Sequence, residues 1–169
     1  MLDEYYIHKT IKMNLTDTWT LWYTEQDLDK SNWSVQSYKK LKDITTVKEY
    51  WDMIQDIPDH RWIDGMYFIM RKGVQPTWEA PENKAGGSWC FRVPKIYAYF
   101  SWIELSMMLC GSTLIPSYSD EIMGISISPK NNTVTIKIWN SDKRHSSNKE
   151  IPNILEFISP ESVLYKAHH

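Results

Sequence analysis

Cysteine is scarce in this chain, and the patterns that accompany it are missing. The 169 residues hold two cysteines, Cys90 and Cys110, both inside apolar segments and without a CxxC spacing. No metal site is expected on that count, and both thiols are expected reduced in the core. Long hydrophobic runs are absent too: no segment approaches the roughly 18 apolar residues a membrane span needs, and the first stretch, MLDEYYIHKTIKM, has no apolar signal core. The expected location is the cytoplasm, with the nucleus open, and no membrane partner. Charge of one sign is lacking as well. With 19 Lys and Arg against 21 Asp and Glu, the net charge is −2, which excludes wholesale duplex binding and leaves room only for a small, local nucleic-acid contact. No set of nucleophile, base and orienter, no metal-ligand spacing and no phosphate-cradling glycine motif is present, so neither an enzyme nor a bound cofactor is expected.

What the chain has in quantity is tryptophan. There are nine, at positions 19, 22, 33, 51, 62, 78, 89, 102 and 139, in a chain that is 42% hydrophobic. A chain of this size without repeats or low-complexity tracts reads as one domain, expected over residues 18–169 behind a flexible arm of residues 1–17. Most of the tryptophans belong to its core, because large apolar area must be buried somewhere.

Local patterns give the elements. Alternation in TWTLWYT predicts a strand over Thr18–Thr24, and Val35–Leu41 reads as a second. In TTVKEYWDMIQDIP, Thr46 and Glu49 match a capping box, apolar residues recur at helical spacing from Val47 to Ile57, and Pro58 stops the helix. Gly65–Arg71 and Ser88–Val93 read as strands. Tyr97–Cys110 is apolar nearly all round, which predicts a buried helix capped by Gly111. Ile122–Ser128 and Thr133–Trp139 pair around a turn at Pro129–Asn132. A polar, basic loop follows over residues 140–150, then a short helix over Ile154–Ile158 and a last strand over Val163–Lys166.

The stretch PTWEAPENKAGGSW, Pro76–Trp89, sets an aromatic face and a carboxylate side by side in a polar loop. Trp78 and Glu79 are neighbours in sequence, and at a loop tip both can face one ligand. Stacking on an aromatic ring serves any base, at about 1–3 kcal/mol. A carboxylate accepts two parallel N–H bonds, which guanine offers from N1 and its amine, so the pair would select that base. Trp33, alone among Ser, Asn and Lys, has no amphipathic stripe to join and is a further ligand candidate.

Laid out in order, WTLWY, the isolated NW at 32–33, TVKEYW, GVQPTWEAPENKAGGSW, SWIEL and GISISPKNNTVTIKIW make the chain resemble the eukaryotic translation initiation factor 4E family, which binds the 7-methylguanosine cap of messenger RNA. The resemblance spans roughly residues 18 to 167; eight of the nine tryptophans fall at family positions and Trp62 is the extra one. It implies an α+β fold, a curved antiparallel sheet of about eight strands backed by about three helices on the convex face. It also implies that Trp33 and Trp78 sandwich the methylated base, that Glu79 reads its edge and that Trp139 meets the methyl group, leaving Trp19, Trp22, Trp89 and Trp102 to the core. On the phosphate side Lys130 replaces the usual Arg, Thr135 stands at the usual Lys, and Ser88 replaces a frequent Arg. Lys137 shares the face of Thr135 and Trp139 by strand alternation, and the loop residues Lys143 and Arg144 are further phosphate candidates. The resemblance implies a second surface, made by Val47, Trp51, Ile103, Glu104 and Met107, for a scaffold or repressor helix with a Tyr-x4-Leu-hydrophobic motif. The implied protein is a monomer whose partners are capped RNA (m7GTP, m7GpppN) and such a helix, acting in translation initiation. A cap-binding repressor, or an interaction module without cap binding, is the alternative.

Overall fold

Strand alternation sorts the side chains into two apolar layers, one on each side of a single curved sheet. The computed structural model describes residues 13–25, 35–152 and 162–168. Its seven strands are β1 (Asn14–Thr24), β2 (Lys39–Thr46), β3 (Met66–Arg71), β4 (Gly87–Pro94), β5 (Ile122–Pro129), β6 (Thr133–Asn140) and β7 (Leu164–Ala167), and its helices α1 (Val47–Asp56), the short α2 (Pro81–Lys84) and α3 (Lys95–Cys110). The order across the sheet is β2-β1-β3-β5-β6-β4-β7, and every pairing is antiparallel. No described helix is long and apolar enough to cross a membrane.

The larger layer lies between the sheet and the helices. Trp19 and Leu21 of β1, Trp89 and Phe91 of β4, and Ile136 and Ile138 of β6 point there, against Trp102 and Leu105 of α3. The residues between them in each strand point the other way, as a period of two requires. On that opposite face Phe68, Met70, Val74, Met123 and Trp139 form a smaller cluster, with Trp22, Tyr38 and Met66 packed against it. Trp22, expected in the core, therefore belongs to the layer beneath the site. Trp62, the extra tryptophan, is fully buried on the helical side, its ring 4.7 Å from Tyr67 and 5.4 Å from Trp102.

Several boundaries differ from expectation for identifiable reasons. β1 begins at Asn14, because Asn14 pairs with Thr46 and the Val47 N–H reaches the Met13 carbonyl at 2.9 Å; residues 14–17, expected in the arm, are strand. Val35–Ser37 is a 3-10 turn, and the second strand starts only at Lys39; among the described residues the sheet has seven strands, against about eight expected. The expected helix over Ile154–Ile158 lies outside the described residues. The capping box is present: Glu49 N–H donates to the Thr46 hydroxyl at 3.1 Å and the Glu49 carboxylate accepts from Thr46 N–H at 3.1 Å and Thr45 N–H at 2.7 Å. These bonds, the one from the Thr45 hydroxyl foremost, hold the Glu49 carboxyl below its usual range.

α3 is less buried than its composition suggests. Its inward face is Ala98, Ser101, Trp102, Leu105, Ser106, Leu109 and Cys110, whereas Ile96 and Phe100 stand 76% and 61% exposed. Ser106 is inside because the buried Tyr50 hydroxyl of α1 meets its Oγ at 2.8 Å, and that bond fixes α1 to α3. Burial pushes the Cys110 thiol up to about 12, which keeps it a protonated core group. Cys90, also expected in the core, is half-buried and faces the opposite side of the sheet.

The end of α3 also departs from expectation. Gly111 has an ordinary φ of −82°, and Ser112 takes the left-handed position at φ 57°. Ser112 N–H bonds Leu109 O at 3.0 Å and Thr113 N–H bonds Met108 O at 2.8 Å, the paired closure of a Schellman motif with serine where glycine usually sits. A side chain in that conformation costs about 1–2 kcal/mol, part of which glycine gives back through unfolded-state freedom. Ser112→Gly is expected to stabilise the fold by about 1 kcal/mol, raising Tm by roughly 2–4 °C in thermal unfolding; an unchanged or lower Tm would show that the turn carries no strain.

Candidate functional site

The cleft on the helix-free face is built from three neighbouring strands and the loop after β3. It has a volume of about 390 Å³. Tyr38, Met66 and Phe68 form one wall, Ser126 and Lys137 the floor with Trp139, and Pro76 to Glu79 the other wall. Trp139 comes to the floor by strand alternation, since Ile136 and Ile138 go to the core. It is 6% exposed, and its Nε1 donates to Ser126 Oγ at 3.0 Å, which fixes the plane of the indole. Lys137 follows the same alternation, with Nζ 5.6 Å from the Trp139 ring centroid, so its charge is held over an aromatic face.

Trp78 is 41% exposed at the cleft mouth, and Glu79 beside it is exposed and without an ion pair among the described residues. A large, partly exposed ring in a polar loop, next to a carboxylate and above an apolar floor, can offer a flat ligand a stacking face and its N–H donors an acceptor pair. Of the sequence-predicted base-site residues, the structure brings Trp78, Glu79 and Trp139 together. Trp33 lies outside the described residues.

The phosphate candidates divide. Lys137 lines the cleft, and Lys130 stands in an adjoining groove with Arg92. Lys143 and Arg144 line neither space. They follow the far end of β6, where Lys143 N–H bonds Ala85 O at 3.2 Å. The Arg144 guanidinium bonds both oxygens of Asp142, and that contact holds the Asp142 carboxyl down at about 2. In the same loop His145 Nδ1 meets Glu121 at 2.5 Å and its ring stacks on Tyr118 at 3.9 Å.

The convex side gathers the second predicted set. Trp51 of α1 is 43% exposed and Met107 of α3 41%, with Val47, Ile103 and Glu104 half-buried on the same two helices. A bond from the Tyr50 hydroxyl to Ile103 O at 3.3 Å holds the two helices in register.

Two residues that pin the loops around the cleft escaped the sequence reading. Asn83, wholly buried, donates from Nδ2 to Gln75 O at 3.0 Å and Thr77 O at 2.7 Å, and so pins the loop that carries Trp78 and Glu79. Asn140, directly after Trp139, accepts at Oδ1 from Gly87 N–H and the Tyr165 hydroxyl, both at 2.9 Å, and donates from Nδ2 to Asp142 O and His145 O at 2.8 and 2.7 Å. Their partners are mostly backbone atoms, which leave no pattern in a sequence. Asn83→Ala removes two hydrogen bonds of a buried amide and leaves Gln75 O and Thr77 O only their backbone donors, Thr77 N–H at 2.8 Å and Ala80 N–H at 3.4 Å, a loss of about 2 kcal/mol. The expected result is a Tm lower by roughly 4–8 °C and a loosened cleft wall; a wild-type Tm would show that the loop does not depend on this amide.

Comparison with known proteins identifies the family and the fold. The family model described as eukaryotic initiation factor 4E matches residues 14–169. Eukaryotic translation initiation factor 4E of Saccharomyces cerevisiae is 31% identical over 137 residues, which are 78% of this chain; the chain spans 63% of that relative's length. Among solved structures, Ascaris suum eIF4E-3 in complex with m7G cap superposes with a TM-score of 0.80 at 23% identity, covering 94% of this chain and 93% of that one. Caenorhabditis elegans eIF4E-3 in complex with the 4E-binding protein Mextli gives 0.78 at 22% identity, with 93% and 94% covered. With a family match that runs from the first residue of β1 to the end of the sequence, the chain belongs to the eukaryotic initiation factor 4E family.

Proposed function

We propose that the chain binds the 7-methylguanosine cap of messenger RNA in this cleft and docks a translation scaffold or repressor helix on the opposite face. The observation that carries the reading is the meeting of Trp78, Glu79 and Trp139 around one cleft, in a chain whose structural relative from Ascaris suum was solved with m7G cap. N7 methylation gives the base a delocalised positive charge, so a stacked indole contributes a cation–π attraction beyond plain stacking. Trp78 supplies one such ring and Trp33, five residues before the cleft residue Tyr38, the other. The Glu79 carboxylate accepts from guanine N1–H and the N2 amine, Trp78 N–H serves O6, and the Trp139 ring faces the methyl group. Lys137 and Lys130 take the phosphates that leave the base. They are point charges without the bidentate fork of an arginine, so they fix a phosphate's position less tightly. Lys143 and Arg144, beyond the end of β6, are candidates for contacts further along the bound RNA. No step of this reading makes or breaks a covalent bond.

The back surface supports the second half of the proposal. Val47, Trp51, Ile103, Glu104 and Met107 form an apolar strip with one acid, exposed at Trp51 and Met107 and half-buried between them, a surface suited to an amphipathic helix. A relative from Caenorhabditis elegans was solved with a 4E-binding protein.

Tryptophan-fluorescence titration tests the cleft. Quenching by m7GTP is expected at concentrations where GTP has little effect, and Glu79→Ala is expected to weaken m7GTP by about ten- to a hundredfold, the worth of a bidentate base contact. Equal response to m7GTP and GTP would sink the cap reading. For the back, Trp51→Ala is expected to weaken a peptide carrying the Tyr-x4-Leu-hydrophobic motif by roughly thirtyfold, as loss of an anchoring tryptophan does, while m7GTP quenching persists. Undiminished peptide binding in calorimetry would remove Trp51 from the interface.

A further inference from the structure

Beside the base cleft lies a larger groove, of about 600 Å³, of which the cap reading uses only Lys130 and Lys137 and leaves Arg92 and Lys166 without a role. It crosses β6, β4 and β7 on the helix-free face and shares Lys137 with the cleft. Four cations line it, Arg92, Lys130, Lys137 and Lys166, and no carboxylate does among the described residues. None of the four has an ion-pair partner among the described residues, although the chain as a whole is slightly acidic.

The sheet register explains how residues so far apart in sequence converge. Lys137 opposes Cys90, Thr135 opposes Arg92, and Ser88 opposes both Trp139 and Lys166. Arg92 is thus one diagonal step from Lys137, a separation of about 7–8 Å that long side chains bridge. Lys130 arrives from the β5–β6 turn, where its N–H bonds Thr133 O at 2.8 Å. A concave surface lined by one sign of charge focuses its field and gathers counter-ions. Without a ligand, four like charges would be better dispersed.

We propose that this groove is a track for the sugar–phosphate backbone of the nucleotides that follow the cap, with Arg92 and Lys166 as its outer contacts. The inference rests on the cap reading of the adjoining cleft for its direction: the base enters the cleft, and the phosphate chain passes Lys137 into the groove. RNA is favoured over an acidic peptide because the groove opens from the cleft itself, so an anionic chain joined to the bound base is delivered there. Such contacts position the strand and do not read its sequence. Arg92 and Lys166 also offset the loss of arginine forks nearer the base.

The test compares m7GTP, a capped five-nucleotide RNA and its uncapped twin, each titrated across salt concentrations. For a single strand, log K falls with log salt by about 0.7 per phosphate neutralised. Capped RNA is expected to bind more tightly than m7GTP and with a steeper slope. In Arg92→Gln/Lys166→Gln the slope for capped RNA is expected to fall by about 1.4, which is roughly a ten- to thirtyfold loss at 0.1 M salt. Lys48→Gln, a charge change on α1, is expected to leave the slope as in wild type. Equal affinity and slope for m7GTP and capped RNA, or an unaltered slope in the double variant, would overturn the track. So would competition by poly-glutamate as strong as by RNA. Failure of the base reading is recognised separately, because wild-type protein would then bind m7GTP and GTP alike; the slope of the uncapped RNA in wild type and double variant still decides the groove.

Discussion

The side-chain amide of Asn140 is the joint on which this cleft is hung. It is almost wholly buried and makes four hydrogen bonds, to β4 at Gly87, to β7 at Tyr165 and to two carbonyls of the loop after β6. Every donor and acceptor position of the amide that geometry favours is used. A buried polar group so satisfied specifies one arrangement, whereas any partial loss leaves a stranded dipole. The same spot excludes a side chain from Gly86, since a Cβ there would run into the Asn140 carbonyl. The loop that carries Trp78 and Glu79 ends at Gly86, so the position of its far end is set by the backbone of the residue after Trp139.

The two faces of the sheet are linked by alternation within single strands. In β3, Tyr67 and Ile69 enter the helical core while Phe68 and Met70 enter the cluster beneath the cleft. The floor of the cleft is therefore supported from behind by close-packed core and not by solvent, which is what a site needs to hold aromatic planes in fixed orientation. The back surface is fixed by the same core through Tyr50, whose hydroxyl bonds α3.

Much of this was legible in the sequence, and what was not follows a physical pattern. The capping box at Thr46 and Glu49, the alternation that sends Lys137 and Trp139 to one face, and the neighbouring Trp78 and Glu79 are local features, and local features read directly. The resemblance to the family, carried by ordered tryptophans, supplied the fold. Composition misled in α3, because apolar residues such as Ile96 and Phe100 face outward while Ser101 and Ser106 face in. A hydrophobic count cannot tell which side of such a helix is covered. Asn83, Asn140, Arg92 and Lys166 were silent for a different reason: the two amides act mostly on backbone atoms, which carry no residue-specific pattern, and the two cations meet only through strand register between segments far apart in the chain.

Among the described residues β2 and β7 are the outermost strands, and each has one rim of backbone donors and acceptors with no described strand beside it. β2 answers with Lys39, Lys40 and Lys42, and β7 with Lys166. A strand from another molecule that tried to extend the sheet would have to bring its own backbone past these ammonium groups and strip their hydration, at either rim. The sheet is thus guarded against growing by self-addition at both borders, and the lysine that would steady an RNA strand also helps keep one copy of the protein from zipping onto the next.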